Sequence, residues 1–360
     1  MSTDKDALID LVSAVSGETF LKVEESFGDG YVRLRTSEAE RRQAKHDIRT
    51  VEDVVVELLR NARDAHARQI FVATSREGDL RSIVMLDDGV GIPATMQERI
   101  FEPRVTSKLE TMVVDRWGVH GRGMALYSVR SNVSDVRVVN SDLHRGTSIA
   151  VTADTAELTE RTDQSSWPTV ERGDSGDPVV VRGPHNIVRR ILEFACEHPE
   201  VDVYYGSPVE IVTTLTAVGR PTLDSADILF ADDISRIPLW QRPAAAADAS
   251  DLAEIAESIG LAISERTAHR IFAAELAPLE PAITFATCSD DDPQPQAEPD
   301  IYKDRRGLKI HHSDLTEFQR EVTAAFDRLA ERYYLHLGGD PKVTVGRAGI
   351  TVRFPVEKDE

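Results

Sequence analysis

The sequence has few cysteines, which cross-link small extracellular domains, and lacks the long apolar runs that anchor a protein in a membrane. It has two cysteines, Cys196 and Cys288, in 360 residues, and they fit neither a disulfide framework nor a metal-ligand spacing. No apolar run reaches the length of a membrane span. The opening stretch MSTDKDALIDLVSAV is polar and acidic, unlike a signal peptide. We therefore expect a cytoplasmic protein with no membrane partner.

Lysine is scarce as well, and acidic residues dominate. No lysine occurs between Lys108 and Lys303, and 62 Asp and Glu against 42 Lys and Arg give a net charge of −20. This charge argues against nucleic-acid binding by the surface as a whole, because such binding depends on cations meeting phosphates. Hydrophobic residues make up 41% of the chain, enough for a substantial core in two or three domains.

Polar stretches with Gly and Pro divide the chain. We predict a first domain at residues 1–157 that includes an N-terminal helical extension, a linker at 158–178, a second α+β domain at 179–288, a linker or loop at 289–300, and a C-terminal helix with short strands at 301–360.

Hydrophobic periodicity predicts the elements inside these segments. The first domain is expected to contain helices around Lys5–Val15, Glu38–Ile48, Val51 to about Ala67 and Met124–Ser131, and strands at YVRLRT (31–36), Gln69–Thr74, Ser82–Asp87, Asp135–Val139 and Thr147–Thr152. The second is expected to contain a helix over NIVRRILEFACEH (186–198), strands over VDVYY (201–205) and VEIVTTLTAV (209–218), and helices over DLAEIAESIG (251–260) and TAHRIFAAELA (267–277). The end of the chain is expected to contain a helix over about Leu315–Leu335 and strands at KVTV (342–345) and GITVRFP (349–355).

The stretch ELLRNARDA (57–65) places three polar side chains on one stripe of a helix. At about 100° per residue, Glu57, Asn61 and Asp64 fall within about 60° of one another, away from the apolar arc. Thr50 and Asp53 are spaced as a capping box that begins this helix. A solvated face predicts scattered Lys, Glu and Arg there, not an Asn, a poor helix former, between two acids. The stripe therefore indicates either a solvated face or a functional site.

A second motif, VMLDDGVGIP (84–93), ends an apolar strand in two acids followed by Gly89 and Gly91. Glycines at this spacing let the backbone approach a flat ligand closely. Asp87, at the end of the strand, is placed to accept a hydrogen bond from an exocyclic amine. An ordinary Asp-Gly turn between strands explains the same letters.

A third motif, WGVHGRGMALYSV (117–129), carries three glycines before a predicted helix. Helix N-termini present free N–H groups to phosphates, and glycines admit the phosphate oxygens. The Gly-Lys-Ser/Thr of a Walker loop is absent, and a flexible loop is the alternative.

The order and spacing of these motifs resemble the GHKL ATPase superfamily, which includes DNA gyrase B, the ninety-kilodalton heat-shock chaperone, histidine kinases and MutL. In that family an ExxxNxxDA helix, a DxGxG turn and a GxxGxG loop occur in this order around ATP and Mg²⁺. RGTSIAV (145–151) is similar to the family's fourth block, and IFEPRVTSK (100–108) to the lid of histidine kinases. The resemblance covers about residues 50–152. It implies an α/β fold, the GHKL or Bergerat two-layer α/β sandwich with a mixed sheet, helices on one face and an ATP lid, followed by a second α+β region.

The resemblance also implies roles for individual residues. Glu57 resembles the catalytic base of the hydrolysing members, and Asn61 the Mg²⁺ ligand that also orders the phosphates. Asp87 resembles the residue that binds the adenine amine, Asp64 supports the base pocket, and Thr147 lies near the adenine. The remaining nucleotide-binding positions implied in the base pocket and the lid are Gly89, Gly91, Ile92, Lys108, Gly118, Gly121, Arg122, Gly123 and Met124.

Three functions remain open within this resemblance. The first is an ATP hydrolase that drives a conformational or dimerisation switch, the second a protein kinase of the histidine-kinase type, and the third a nucleotide-binding regulatory module with little turnover. Glu57 favours hydrolysis, because many histidine kinases have Asn at that place. His46 lies too close to the Val51 helix for a separate phosphoacceptor hairpin, and an ordinary surface histidine explains it.

Beyond the first domain, GPHNIVRRILEFACEHPEVDVYY (183–205) resembles the segment that follows the ATPase domain in topoisomerase VI B and MutL proteins, where a second domain supplies a lysine to the γ-phosphate. The available lysines are Lys303, Lys309, Lys342 and Lys358, with YKDRRGLK (302–309) favoured and a plain basic loop as the alternative. A homodimer formed on ATP binding and an unknown protein partner are implied, and DNA follows by family analogy alone. A partner-binding domain unrelated to a transducer is the other reading of 179–360.

Overall fold

The computed structural model describes residues 23–28, 30–107, 113–115, 118–120, 123–172, 178–223, 234–287, 318, 320–326, 330, 335–337, 341–346 and 349–358. The chain divides into two compact units, Met1–Ser289 and Asp290–Glu360. The helix predicted around Lys5–Val15 lies outside the described residues. Among the described residues, none of the helices combines the length and the apolar character that a membrane span needs.

The first unit contains both strands and helices. Its strands are β1 (Val23–Gly28), β2 (Tyr31–Leu34), β3 (Gln69–Glu77), β4 (Leu80–Asp87), β5 (Val105–Thr106), β6 (Val113–Asp115), β7 (Gly118–His120), β8 (Asp135–Ser141), β9 (Thr147–Asp154), β10 (Thr169–Arg172), β11 (Pro178–Arg182) and β12 (Asp202–Gly206). Its helices are α1 (Glu38–Asp47), α2 (Val51–Asp64), α3 (Ala125–Asn132), α4 (Ile187–Glu197), α5 (Pro208–Gly219), α6 (Ala249–Ser258), α7 (Glu265–Phe272) and α8 (Ala282–Thr287).

The central sheet has five strands in the order β12-β3-β4-β9-β8. β12 runs parallel to β3, whereas β3, β4, β9 and β8 pair antiparallel. The predicted α/β class with a mixed sheet packed against helices is therefore confirmed.

Helices cover both faces of this sheet. On one face Ile70 and Val72 pack with α2 and α4 in a single buried cluster. On the other, Phe71 and Ala73 pack with α5, α6 and α7. The apolar run IFVA in β3 is buried on both sides, as is usual for a strand inside a layered α/β domain. The face opposite α2 is thus covered by helices of the region predicted as a second domain, so the predicted arrangement with helices on one face only was wrong.

The division of the chain differs from the predicted one at 158–178. β12, from the predicted second domain, pairs with β3 over five residues, from Asp202↔Gln69 to Gly206↔Ala73. Local patterns give no sign of such a pairing, because its partners lie more than 130 residues apart in the sequence. Part of the predicted linker is also a strand, since β10 pairs with β11.

The first part of the predicted linker is fixed by buried side chains. Glu52 of α2 accepts hydrogen bonds from the backbone N–H of Arg161 and from Gln164 Nε2, at 3.0 and 2.6 Å. Asn186, fully buried, donates through Nδ2 to the carbonyls of Asp163 and Ser166, at 3.0 and 2.8 Å. The same Asn186 caps α4 by accepting from the N–H of Arg189 at 2.9 Å. These contacts join the beginnings of α2 and α4 through residues 161–166.

The prediction of a strand over VEIVTTLTAV was wrong, because this stretch is helix α5. Ser207 and Glu210 form a capping box, and Pro208 occupies the first turn, where its missing N–H costs nothing. The side chains of Thr213, Thr214 and Thr216 bond to carbonyls four residues back. β-branched residues favour strands only weakly, and here the start signal outweighs them.

The turn between β8 and β9 is tied to the helical layer behind the sheet. Arg145 Nη1 donates to the carbonyl of Ser235 at 2.8 Å, and its own carbonyl accepts from Leu239 N–H at 2.9 Å. Ser148 Oγ donates to the carbonyl of Ile259 at 2.7 Å. Residues 234–261 therefore support this turn from behind.

Among the described residues of the second unit, there are two short antiparallel strand pairings. β13 (Leu335–Leu337) pairs antiparallel with β16 (Val356–Lys358), and β14 (Lys342–Gly346) with β15 (Gly349–Arg353). Residues 320–326 are helical, within the predicted helix, and Phe326 stacks on Phe354 with ring centroids 4.4 Å apart.

Candidate functional site

A cavity of about 690 Å³ opens beside α2 in the first unit. Its walls come from α1, α2, the ends of β4 and β9, the turn after β4 and the start of α3. A volume of this size suits a small-molecule ligand. Of the residues predicted for the site, those that line it are Glu57, Asn61, Asp64, Asp87, Gly91, Ile92, Gly123, Met124 and Thr147.

Helix α2 turns its polar stripe to this cavity and its apolar arc to the core. Thr50 and Asp53 form the predicted capping box, which sets where the helix begins and hence which way each side chain points. Val54 and Val55 are fully buried, while Glu57, Asn61 and Asp64 line the cavity. The helix ends at Asp64, three residues before the predicted end.

The side-chain amide nitrogen of Asn61 is placed to bind a ligand. Its Nδ2 is buried and makes no hydrogen bond to any of the described residues. A buried amide N–H left unbonded costs free energy, so a ligand that accepts from it would bind favourably. Within the described part of the chain, no group of three or more His, Cys, Asp and Glu side chains could hold a metal by itself. If Mg²⁺ were bound with a phosphate ligand, the Asn61 amide oxygen would be the atom that this side chain offers to it.

Glu57 is held by an arginine that the sequence reasoning did not single out. Arg60 Nη1 donates to Glu57 Oε1 at 2.8 Å, and the side chains are 4% and 18% exposed, respectively. Both side chains line the cavity. The only signal in the sequence is the spacing of three residues, which puts the two on one face of α2.

Asp64 is likewise engaged by its neighbour. Asp64 Oδ1 accepts from Arg63 Nε and Nη2, at 3.0 and 2.9 Å. Arg63 Nη1 lies 3.4 Å from Nε2 of His198, at the end of α4. The last turn of α2 is thus fixed to α4 on the side away from the core.

Asp87 ends β4 with its side chain turned to the cavity. It is 6% exposed, and its Oδ1 accepts the N–H of Gly89 at 2.9 Å. Thr147, the first residue of β9, lies directly opposite Asp87 in the ladder. Thr147 Oγ1 is 3.0 Å from Ser141 Oγ, which in turn accepts the N–H of Ile92 at 2.8 Å. Ser141 was missed because nothing in its local sequence sets it apart.

The second acid of the pair, Asp88, serves the fold. Its Oδ1 accepts the N–H groups of Arg68 and Gln69 at 2.7 and 2.9 Å, which fixes the turn that enters β3. Asp87 and Asp88 are adjacent in sequence, but only Asp87 lines the cavity.

Glycines allow the turns around Asp87 to pack closely. A Cβ at Gly91, where φ is +75°, would lie 1.9 Å from the carbonyl oxygen of Asp142. One at Gly146, where φ is +87°, would lie 2.1 Å from the carbonyl oxygen of Asp87. Gly89 is nearly as confined, with Ala65 O at 2.7 Å from a built Cβ. The backbone of the base pocket therefore requires glycine at these positions.

The predicted lid is described in part. Gly118 begins β7, opposite Asp115 of β6. Gly123, with φ of +67°, accepts the N–H of Arg104 through its carbonyl at 2.8 Å, and Met124 precedes α3. Lys108, Gly121 and Arg122 lie outside the described residues, as do Lys303 and Lys309.

Helix α1 and the turn after it add a wall that the motifs did not predict. Gln43, His46, Asp47 and Arg49 line the cavity. The end of α1 is placed there because Arg104 pairs with Glu40 and β2 pairs with β5. His46 is exposed, and its position faces the same space as Glu57.

Comparison with known proteins agrees with this geometry. Residues 46–157 match the family model described as histidine kinase-, DNA gyrase B-, and HSP90-like ATPase. DNA mismatch repair protein MutL of Thermus thermophilus is 44% identical over 81 residues, which cover 22% of this chain and 14% of the relative. MutL of Thermus aquaticus is 45% identical over 82 residues, covering 22% and 15%. MutL of Lactiplantibacillus plantarum is 41% identical over 99 residues, covering 27% and 14%. These matches span about a seventh of each relative's length.

Proposed function

Residues 46–157 are a domain of the GHKL ATPase family, and we propose that this domain binds ATP with Mg²⁺ and hydrolyses it slowly. The observation that carries the proposal is the convergence of Glu57, Asn61, Asp87 and Thr147 on one cavity beside a glycine-confined turn. These groups come from three separate elements, α2, β4 and β9. An adenine base requires a carboxylate at one end of such a pocket, and a polyphosphate requires metal and N–H groups at the other.

Asp87 is the residue that recognises the adenine, by accepting a hydrogen bond from its exocyclic amine. Its carboxylate is buried at the end of β4, lines the cavity and accepts the N–H of Gly89. A carboxylate oxygen accepts more than one hydrogen bond, so Asp87 can also accept from the exocyclic amine. Thr147, across the ladder, places a hydroxyl beside the same end of the base.

Asn61 and the beginning of α3 serve the phosphates. The buried Nδ2 of Asn61 can donate to a phosphate oxygen, and its Oδ1 would be the atom that holds Mg²⁺ when the ion is bound. Gly123 and Met124 lead into α3, whose first N–H groups point at the cavity as a helix N-terminus does. Mg²⁺, when bound, neutralises the charge that the phosphate oxygens carry.

Glu57 orients the attacking water and accepts its proton. The water oxygen bonds to the γ-phosphorus, the bond from that phosphorus to the bridging oxygen breaks, and ADP leaves with the electron pair. Glu57 lies one helical turn before Asn61, so the base and the residue at the phosphates share one rigid helix. This fixes the distance between the water and the γ-phosphate.

The test is phosphate release from ATP–Mg²⁺ by the wild type and by Glu57→Gln. An amide cannot accept the proton, so we expect turnover to fall by at least about 100-fold while the dissociation constant of a non-hydrolysable ATP analogue stays within about threefold. Equal turnover in the two proteins would remove Glu57 from the role of base.

A second candidate function is phosphoryl transfer to His46. The observation that favours it is that His46 lines the same cavity as Glu57. Incubation with γ-labelled ATP distinguishes the two functions. Acid-labile label that disappears in His46→Gln would support the kinase, whereas label in inorganic phosphate alone supports the hydrolase. Nucleotide binding with neither product would indicate a regulatory module.

At the level of the whole protein we propose that ATP binding drives a conformational or dimerisation switch, which residues 179–360 transmit to a protein partner. The similarity to mismatch repair MutL proteins supports this role, and DNA as a target rests on that analogy alone. Light scattering with and without the ATP analogue tests the dimer. A molar mass that does not change on saturation would exclude dimerisation as the output.

A further inference from the structure

We infer that Arg60 is a positioning residue that holds the carboxylate of Glu57 in place for hydrolysis. The inference rests on the proposed function, because it assigns a task to the neighbour of the proposed base. It concerns a side chain at a position that the ExxxNxxDA pattern leaves unspecified.

The first observation is the geometry of the pair. Arg60 Nη1 donates to Glu57 Oε1 at 2.8 Å, and the two residues are three apart on α2. A glutamate side chain has several rotatable bonds, and one charge-assisted hydrogen bond from a fixed donor removes most of that freedom. Because Arg60 and Glu57 share one helix, the donor keeps its position when other elements around the cavity move.

The second observation is burial. The Arg60 side chain is 4% exposed, whereas Glu57 is 18% exposed on the cavity wall. Ion pairs at this spacing are ordinarily found on solvated helix faces. Burying a guanidinium carries a desolvation penalty, and an apolar side chain of similar volume often stabilises a fold equally well or better. Stability alone therefore does not account for an arginine at position 60, between a base and a metal ligand.

The third argument concerns the negative charge that bound ATP would bring into the cavity. ATP brings several negative charges toward the Glu57 carboxylate, and like charges at short range repel. Arg60 supplies a permanent positive charge within hydrogen-bonding distance of Glu57, which offsets part of this repulsion and keeps the carboxylate facing the water that it must orient.

The test compares Arg60→Met and Arg60→Lys with the wild type. Three quantities are measured for each protein: the rate constant kcat for phosphate release, the dissociation constant of the non-hydrolysable ATP analogue with Mg²⁺, and the melting temperature. We expect Arg60→Met to lower kcat by about 10- to 100-fold, the effect of a misplaced catalytic group, with the dissociation constant within about threefold of wild type. Arg60→Lys keeps the charge but loses the planar guanidinium group. Its kcat should therefore lie between those of the wild type and Arg60→Met.

A double variant and a matched control separate positioning from structure. If Arg60 acts through Glu57, adding Arg60→Met to Glu57→Gln should lower kcat no further, because the two residues work as a unit. The control is Arg190→Met on α4, which breaks another arginine–glutamate pair at a spacing of three, Arg190–Glu193 at 3.1 Å, outside the cavity lining. It should lower the melting temperature and leave kcat within about twofold of wild type.

The outcomes are distinguishable. A wild-type kcat in Arg60→Met, with Glu57→Gln inactive, would overturn the inference and leave the proposed function standing. A higher kcat would overturn it too, since Arg60 would then restrain Glu57 rather than position it. A wild type that binds the analogue but releases no phosphate would overturn the proposed hydrolysis and the role of Arg60 with it. If Arg60→Met melts below the assay temperature, Arg60→Lys decides, because a kcat below wild type at unchanged affinity supports positioning and an equal kcat excludes it.

Discussion

At the end of β4, two neighbouring acidic side chains have different roles. Asp87 and Asp88 are adjacent acids in the sequence, yet one lines the cavity and the other fastens the turn into β3. The spacing from Asp87 to Gly89 and Gly91 singled out the acid that ends β4 and lines the cavity. The partners of the predicted site residues were not predictable. Arg60 looks like any helix-surface arginine, and Ser141 lies six residues from Thr147 across a turn.

Substituting each acid in turn should separate ligand binding from stability. Asp87→Asn leaves one oxygen to accept the N–H of Gly89 and puts an NH₂ group in place of the oxygen that would accept from the adenine amine, so nucleotide binding should be lost. Asp88→Asn keeps one oxygen that can accept from the N–H groups of Arg68 and Gln69, so nucleotide affinity should be retained. Calorimetric titration with the ATP analogue checks both, and unchanged affinity in Asp87→Asn would remove Asp87 from the pocket.

Among the elements, the helices with a capping signal begin at it, both where the prediction was right and where it was wrong. The capping box at Thr50 sets the beginning of α2, and the polar stripe faces the cavity as a consequence. α5 was predicted as a strand from its alternating pattern, although Ser207, Pro208 and Glu210 give the start signal of a helix. Residues 161–166 were predicted as linker because they are polar, but Glu52 and Asn186 bind them from within the fold.

Asn186 offers a test of that polar segment. Asn186→Ala removes the α4 cap and two donors to the carbonyls of Asp163 and Ser166, so we expect a loss of about 2–4 kcal/mol in the free energy of unfolding. Asn186→Asp keeps a capping oxygen but loses both donors. Its free energy of unfolding should therefore lie between those of Asn186→Ala and the wild type. Urea denaturation measures both. A change below about 0.5 kcal/mol in Asn186→Ala would mean that the segment is not held as described.

In the whole molecule, the site belongs to a larger unit than the GHKL segment. β12 extends the sheet next to β3, and α5, α6 and α7 cover the face that carries Phe71 and Ala73. The sequence showed the elements but not this arrangement, since parallel pairing across more than a hundred residues leaves no local pattern. The uninterrupted apolar run IFVA was the one available sign.

Two truncated proteins should therefore behave differently. A fragment of residues 1–177 lacks β12 and the helices behind the sheet, which leaves Phe71, Ala73 and Leu86 uncovered, and we expect it to aggregate or to unfold without a cooperative transition. A fragment of residues 1–289 retains all of these contacts and should melt cooperatively. Circular dichroism melts and light scattering check both, and a cooperative melt of 1–177 would show that the GHKL segment folds independently.

The turn from Asp142 to Gly146 contacts both the end of β4 at Asp87 and the helical layer behind the sheet. On one side Gly146 lies against the backbone of Asp87, and on the other Arg145 is bonded to Ser235 and Leu239. A nucleotide that orders the base pocket must therefore also suppress local opening behind the sheet. Amide hydrogen exchange at residues 237–261 should slow on addition of the ATP analogue, so these helices would report nucleotide occupancy without touching the nucleotide.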